Sequence, residues 1–203
     1  MMNKEDKAAL TVLGGGAFVL MLSFLPVIRD PYYHIKRVNF WEWAAREIRE
    51  LITGERARLA YYTFEPMLRK YLQLKKPLLI LEWGPGRSTK IMTEEVPNAE
   101  IFTVEHDADW AAVWKTEFTN NMKVHLITIP LGENYFKAPL EWGMKFDFIF
   151  VDGADPRVDC LETALQVMAD DGIVILHDRE NYQRGIQLFK IIEEDAHTVV
   201  MMK

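Results

Sequence analysis

From residue 77 onward, short apolar runs alternate with stretches of helical periodicity. The apolar runs have the length and continuous hydrophobicity of strands that are buried on both faces. They predict strands at Leu78–Glu82, Glu100–Glu105, Lys123–Thr128, Phe146–Asp152 and Gly172–His177. The stretches between them predict helices at Ser88–Val96, Ala108–Thr119 and Arg157–Ala169. This alternation indicates an α/β fold, in which helices cover both faces of a mostly parallel sheet.

The end of the chain breaks this alternation. Phe189–Glu193 and Thr198–Lys203 are apolar runs separated by a short polar stretch, which predicts a closing antiparallel hairpin. The expected fold is therefore a doubly wound, mostly parallel Rossmann-like sheet with a C-terminal antiparallel hairpin. The segment Gly132–Gly143 is irregular, and it is predicted to be a packed loop or a cover over the substrate.

Residues Ala8–Ile28 contain no charged side chain. A helix of this length spans about 30 Å, the thickness of the hydrocarbon core of a membrane. The run predicts a single-pass membrane anchor over residues 1–29, with a cleaved signal peptide or an interfacial helix as the alternatives. Because Arg29, Lys36 and Arg37 give a slight excess of positive charge after the span, the rest of the chain is expected on the cytoplasmic side.

Residues 30–76 are predicted to form a juxtamembrane region of helices. Phe40–Ile52 is amphipathic, and it either packs on the following domain or lies on the membrane surface. A second helix is predicted at Arg56–Leu72, and Lys75-Lys76-Pro77 breaks the chain before the first strand. The Rossmann-like domain is then expected over residues 77–203.

Composition narrows the classes of function. The 203 residues carry a formal net charge of -6 at pH 7. Basic residues are interspersed with acidic ones, which argues against a nucleic-acid-binding surface. The single cysteine, Cys160, excludes an internal disulfide and fits a reducing compartment.

A turn of sequence Glu-Trp-Gly-Pro-Gly begins at Glu82, follows the first predicted strand and opens a helix. Gly84 permits a tight turn, Gly86 permits close approach of the backbone to a ligand, and the helix start at Ser88 offers free N–H groups. Thr89 stands where a dinucleotide-binding turn has its third glycine, whereas Glu82 suits a cofactor with a positively charged amino-acid portion. Taken alone, the motif also fits a plain strand-to-helix turn.

Acidic residues end three further predicted elements. Glu105, which His106 follows, lies at the end of the second strand, where an acid accepts hydrogen bonds from the ribose hydroxyls of an adenosine cofactor. Asp152 and Asp178 follow two neighbouring strands, and with His177 they form a candidate site for a divalent cation such as Mg²⁺. Alternatively, the two acids cap helices or bind cofactor and substrate without metal, and His177 is a general base for a substrate hydroxyl.

The strand pattern and the Glu-x-Gly-x-Gly turn resemble class I S-adenosylmethionine-dependent methyltransferases. Four segments are similar, more narrowly, to a methyltransferase-like group found in plants and microbes. These segments are Glu82–Thr89, Val104–Trp110, Val151-Asp152-Gly153 with Arg157-Val158-Asp159-Cys160, and His177–Tyr182. One departure concerns the metal, because Arg179 follows Asp178 where metal-dependent O-methyltransferases often have Asn or Asp.

This resemblance implies a reaction and a set of site residues. The expected reaction is methyl transfer from S-adenosylmethionine to an oxygen or nitrogen of a small-molecule or lipid-linked acceptor at the membrane. The cofactor-binding residues would be Glu82, Gly84, Gly86, Ser88, Glu105, His106 and Asp152. The catalytic residues, and the metal ligands if a metal is used, would be Asp152, His177 and Asp178.

Two other classes of function stay open. A membrane-anchored scaffold would bind the cofactor without turnover, and it would not need Asp152, His177 and Asp178 to converge at one site. An NAD-dependent oxidoreductase would use a similar sheet, but Thr89 and Glu82 argue against it.

Overall fold

The structure, a computed structural model, describes residues 63–203. The predicted anchor at residues 8–28 and the predicted amphipathic helix at residues 40–52 lie outside the described residues. Within residues 63–203, no helix has both the length and the apolar character needed to cross a membrane. The anchor therefore stays a prediction.

A seven-stranded sheet with the order β3-β2-β1-β4-β5-β7-β6 forms the centre of the described part. Its strands are β1 (Leu79–Trp83), β2 (Glu100–Glu105), β3 (Val124–Thr128), β4 (Phe146–Val151), β5 (Met168–His177), β6 (Lys190–Glu194) and β7 (Thr198–Met202). The strands β1 to β5 are parallel, whereas β7 runs antiparallel to both β5 and β6. The predicted mostly parallel sheet and the predicted closing hairpin are both confirmed.

Helices connect the strands and cover the sheet. They are α1 (Glu65–Lys75), α2 (Arg87–Glu95), α3 (Ala108–Glu117), α4 (Glu133–Glu141), α5 (Arg157–Val167) and α6 (Gln183–Ile186), with a 3₁₀ turn at Arg179–Asn181. The described part of the helix predicted at residues 56–72 continues to Lys75 as α1. Lys76 ends α1 in the left-handed conformation, with φ at 47°, directly before Pro77.

The prediction of an irregular segment at Gly132–Gly143 is wrong for most of its length, because α4 occupies residues 133–141. Two glycines with positive φ, Gly132 and Gly143, stand immediately before and shortly after this helix. Pro139 lies in the last part of α4 and is buried. Tyr135 is fully buried and anchors α4 to the sheet.

The boundary between α5 and β5 also differs from the prediction. The helix ends at Val167 rather than Ala169, and β5 begins at Met168 rather than Gly172. Met168 pairs with Phe146 and Ile173 pairs with Phe148, so the polar residues between them form an irregularity in β5. Those polar residues do not have the apolar character of a buried strand, which is why the sequence pattern missed them.

Candidate active site

The sheet register brings the predicted site residues to one edge. Trp83 near the end of β1 pairs with Val104 of β2 on one side and with Val151 of β4 on the other. Val151 in turn pairs with Leu176 of β5. The residues that follow these strand positions therefore lie together at the carboxyl edge, where open α/β sheets bind ligands.

The two glycines of the turn after β1 have different surroundings. Gly84 has φ at 90°, and a Cβ there would meet Gly153 Cα at 2.7 Å. Glycine at position 84 is therefore needed for packing as well as for the turn. A Cβ at Gly86 would make only ordinary contact, at 3.9 Å from Trp110. The protein contacts do not demand glycine at position 86, which agrees with its predicted approach to a ligand.

Glu82 is fully buried at the end of β1. Its two carboxylate oxygens accept hydrogen bonds from Ser88 Oγ at 2.5 Å and from Thr89 Oγ1 at 2.6 Å. Burial raises the pKa of Glu82 to about 7, although both hydroxyl donors oppose this rise. The hydroxyl of Ser88 thus has a partner inside the protein, and its contact with a cofactor stays a prediction.

Glu105 is buried at the end of β2. The backbone N–H groups of His106 and Asp107 donate hydrogen bonds of 2.7 Å to its Oε1 atom. Burial raises the pKa of Glu105, against the effect of these two donors. Since both donors bind Oε1, neither of them uses Oε2, which can serve a ligand.

Asp107 and Trp110, which follow Glu105 in the sequence, hold the neighbouring loops in place. The Asp107 carboxylate accepts hydrogen bonds from the backbone of Asp109 and Trp110, and so it caps α3. Trp110 Nε1 donates a hydrogen bond of 2.7 Å to the carbonyl of Pro85. The strand-end motif after β2 therefore fixes the glycine turn after β1.

Asp152, His177 and Asp178 converge at the ends of β4 and β5, as predicted. His177 Nδ1 lies 3.0 Å from Asp152 Oδ1, and His177 Nε2 lies 3.6 Å from Asp178 Oδ1. One possible ligand atom from each of the three residues lies within 4.8 Å of the others. This spacing alone suits a metal ion, and metal binding stays a prediction.

His177 is buried and has a partner on each ring nitrogen. Besides Asp152 on Nδ1, Thr63 Oγ1 lies 3.0 Å from Nε2. Burial by itself lowers the pKa of His177, but the hydrogen bond and charge of Asp152, with the charge of Asp178, raise it above its ordinary value. Thr63 precedes the first described helix, and no sequence signal linked it to this site.

Arg157 is the second residue that sequence reasoning missed. It begins α5, and its guanidinium lies 3.3 Å from Asp152 Oδ1 and 3.4 Å from Asp178 Oδ2. A basic residue at a helix start usually lies in solvent, yet the Arg157 side chain is only 11% exposed. Its spacing of five residues from Asp152 was a motif in the sequence, but only the fold gives that motif a physical role.

The comparisons with known proteins agree with this geometry. Residues 81–179 match the model of a family described as a methyltransferase domain. A methyltransferase-like protein from Silicibacter pomeroyi is 19% identical with a TM-score of 0.55, and the match covers 67% of this chain and 82% of that one. An O-methyltransferase from Bacillus cereus, solved in complex with SAH, is 17% identical with a TM-score of 0.58, covering 68% and 79%. A comparison with curated protein sequences finds no match.

The sheet order and the covering helices define a Rossmann-like α/β fold. The match of residues 81–179 to a methyltransferase domain then supports an S-adenosylmethionine-dependent methyltransferase, and S-adenosylmethionine is the cofactor expected of this class. This match removes the support for an NAD-dependent oxidoreductase. The narrower resemblance, to a methyltransferase-like group of proteins found in plants and microbes, stays a prediction.

Proposed function

We propose that this protein methylates an oxygen of its acceptor, with His177 as the general base. A nitrogen atom of the acceptor is the alternative site of methylation. The observation that carries the proposal is a chain of two contacts, from Thr63 Oγ1 to His177 Nε2 and from His177 Nδ1 to Asp152 Oδ1, each 3.0 Å long. A hydroxyl therefore fits within hydrogen-bond distance of the imidazole while a carboxylate orients the opposite ring nitrogen. An acceptor hydroxyl in place of Thr63 Oγ1 would meet the same base.

S-adenosylmethionine supplies a methyl group that is activated by the sulfonium centre. In the proposed step the acceptor oxygen bonds to the methyl carbon, the carbon–sulfur bond breaks and its electron pair returns to sulfur. The proton of the acceptor hydroxyl passes to Nε2 of His177. The Asp152 carboxylate stabilises the resulting imidazolium, since it already lies against Nδ1.

The cofactor would lie over the ends of β1 and β2. Oε2 of Glu105 would accept the ribose hydroxyls, and Gly86 would allow the backbone to approach the amino-acid portion. The positive ammonium and sulfonium groups would favour the ionised form of the buried Glu82, whose pKa is about 7 without a ligand, and would be attracted by that form. His106, beside Glu105, and Asp152 complete the proposed cofactor contacts.

The acceptor class follows from the predicted anchor. A domain tethered at residues 8–28 would work close to a membrane surface, on its cytoplasmic side. We therefore propose a lipid-linked acceptor or a small molecule that is present near the membrane. The described residues support the reaction type, and the anchor alone supports this location.

The test uses the full chain in detergent and S-adenosylmethionine labelled in its methyl group. Membrane and soluble extracts serve as the acceptor source, and mass spectrometry searches for products heavier by one methylene. We expect a labelled product with the natural protein and a loss of about 10²–10⁴-fold in His177→Ala, the usual contribution of a general base.

His125→Ala is the matched control, because His125 is half-exposed on β3 and stacks on Phe102, 4.4 Å between ring centroids. Calorimetry should show that His177→Ala binds S-adenosylmethionine as the natural protein does. Full transfer by His177→Ala would remove His177 from the mechanism. Tighter binding of NAD than of S-adenosylmethionine would overturn the cofactor assignment.

A further inference from the structure

Arg157 contacts both Asp152 and Asp178, the two acids of the candidate metal site. We propose that Arg157 is the resident cation of the cluster formed by Asp152, His177 and Asp178, and that it takes the place which a divalent cation would otherwise fill. Methyl transfer by this protein would then need no divalent ion. The inference goes beyond the proposed reaction, and its binding test does not depend on that reaction.

The positive charge of Arg157 lies close to both carboxylates of the cluster. Nη2 of Arg157 lies 3.3 Å from Asp152 Oδ1, and Nη1 lies 3.4 Å from Asp178 Oδ2. One guanidinium therefore bridges the two carboxylates, which come from the ends of β4 and β5. An arginine stays protonated in proteins, so this charge is permanent.

Backbone carbonyl groups hold the guanidinium in place. Nε donates to the carbonyl of Gly153 at 2.7 Å, and Nη1 donates to the carbonyl of His177 at 2.6 Å. Nη2 donates to the carbonyl of Asp152 at 3.3 Å. The ring of Tyr182 covers the guanidinium at 5.3 Å from its centroid, a cation–π contact. All three guanidinium nitrogens thus have backbone partners, so the side chain cannot swing away without losing them.

A divalent ion at this cluster would compete with Arg157 for the same position. A divalent ion binds carboxylate oxygens at about 2.0–2.6 Å, so an ion on Asp152 and Asp178 would lie within a few ångströms of the guanidinium. It would repel Arg157 and compete for the same two carboxylates. It would also have to separate His177 Nδ1 from Asp152 Oδ1 or do without that oxygen. The donor set with Arg157 in place therefore does not fit a resident divalent ion.

The test measures the binding of Mn²⁺ alone to the full chain in detergent, by electron paramagnetic resonance of the free ion. We expect little binding to the natural protein. Arg157→Gln should bind Mn²⁺ tighter by about tenfold or more, because one positive charge next to the two carboxylates is removed. Adding Asp178→Asn to that variant should abolish the gain, and Arg157→Lys, which keeps the charge, should not show it.

Three outcomes would overturn the proposal. One is strong Mn²⁺ binding to the natural protein that Asp178→Asn abolishes. Another is a folded Arg157→Gln protein that binds no more Mn²⁺ than the natural one, since Arg157 would then not be what excludes the ion. The third is a loss of methyl transfer on treatment with chelator, whereas we expect the rate to stay unchanged. If Arg157→Gln does not fold, the natural protein, Asp178→Asn and the chelator experiment still decide the question.

Discussion

The carboxylates at the two ends of the candidate active site are stabilised in different ways. At the proposed cofactor end, formed by β1 and β2, Glu82 and Glu105 are buried and accept hydrogen bonds from neutral hydroxyl and backbone groups. At the acceptor end, formed by β4 and β5, Asp152 and Asp178 lie against the positive charge of Arg157. Burial raises the pKa of both glutamates, so the proposed cofactor end becomes fully ionised most readily when a positively charged ligand binds. At the proposed acceptor end, the two carboxylates share the permanent positive charge of Arg157.

The largest expected effect on the rate of methyl transfer comes from Asp152→Asn, at the acceptor end. This change removes the carboxylate that orients His177 and stabilises its protonated form. We expect methyl transfer to fall by about 10²–10⁴-fold. Since Asp152 raises the pKa of His177, the remaining activity should also rise with pH at a lower pH than in the natural protein. The measurement is the rate of label transfer across the pH range around neutrality.

The direction of this pH dependence follows from the role of His177 as the general base. Neutral imidazole accepts the proton, so the rate of the natural protein increases as pH rises through the raised pKa of His177. Binding of S-adenosylmethionine, measured by calorimetry, separates a catalytic loss from a loss of cofactor in Asp152→Asn. An unchanged pH profile in this variant would show that Asp152 does not control the titration of His177.

The acceptor end also shows where sequence reasoning succeeds and fails. Asp152, His177 and Asp178 were predicted because each lies at the end of an apolar strand or directly after it, and parallel strands must end at one edge of the sheet. Arg157 was not given a role, because its contacts depend on how the start of α5 lies over two strand ends. The same limit applies to Thr63, which reaches His177 across 114 positions of sequence.

The fold shows a similar division. Strands with continuous apolar character, such as β2 at Glu100–Glu105, were predicted with the bounds that the structure has. The helix α4 was missed because Gly132, Pro139 and Gly143 each suggest a break, although the two glycines flank the helix and the proline lies in its last part. Tertiary packing of Tyr135 stabilises α4, and such packing leaves no periodic signal in so short a segment.

The next largest effect concerns the stability of the cofactor end. Burial raises the pKa of Glu82 from 4.5 to about 7. A protonated Glu82 thus favours the folded state, and its contribution is fully present below pH 4.5 and is lost as pH rises through about 7. At 1.36 kcal/mol for each pKa unit, the loss amounts to about 3 kcal/mol. The free energy of unfolding of the natural protein, relative to Glu82→Gln, should fall by that amount between pH 4.5 and pH 8.

Denaturant unfolding at a series of pH values makes this measurement, with the exposed Glu117→Gln as the surface control. Saturating S-adenosylmethionine should reduce the loss, because a positively charged ligand favours the ionised form of Glu82. Parallel curves for the natural protein and Glu82→Gln would show that the pKa of Glu82 is not raised in the folded state.

A smaller effect is expected for Glu105→Ala. The loss of hydrogen bonds from a carboxylate to the ribose should weaken the binding of S-adenosylmethionine by about 1–3 kcal/mol. Calorimetry with the cofactor and with its demethylated product should give the same loss, because both contain the ribose. Glu117→Ala should bind like the natural protein. Unchanged affinity in Glu105→Ala would place the ribose elsewhere.

The smallest effect tests whether neutral hydrogen bonds hold the cofactor end in shape. Trp110→Phe keeps an aromatic ring beside Trp114 but removes the Nε1–H group that donates to the carbonyl of Pro85. Because Pro85 lies in the glycine turn, we expect the affinity for S-adenosylmethionine to fall by about 1 kcal/mol, the usual net value of one hydrogen bond. The transfer rate at saturating cofactor should not change, since the hydrogen bond that is removed lies in the turn after β1. If Trp110→Phe instead lowered the saturated rate and left the affinity intact, the two ends could not be treated as separate parts of the site.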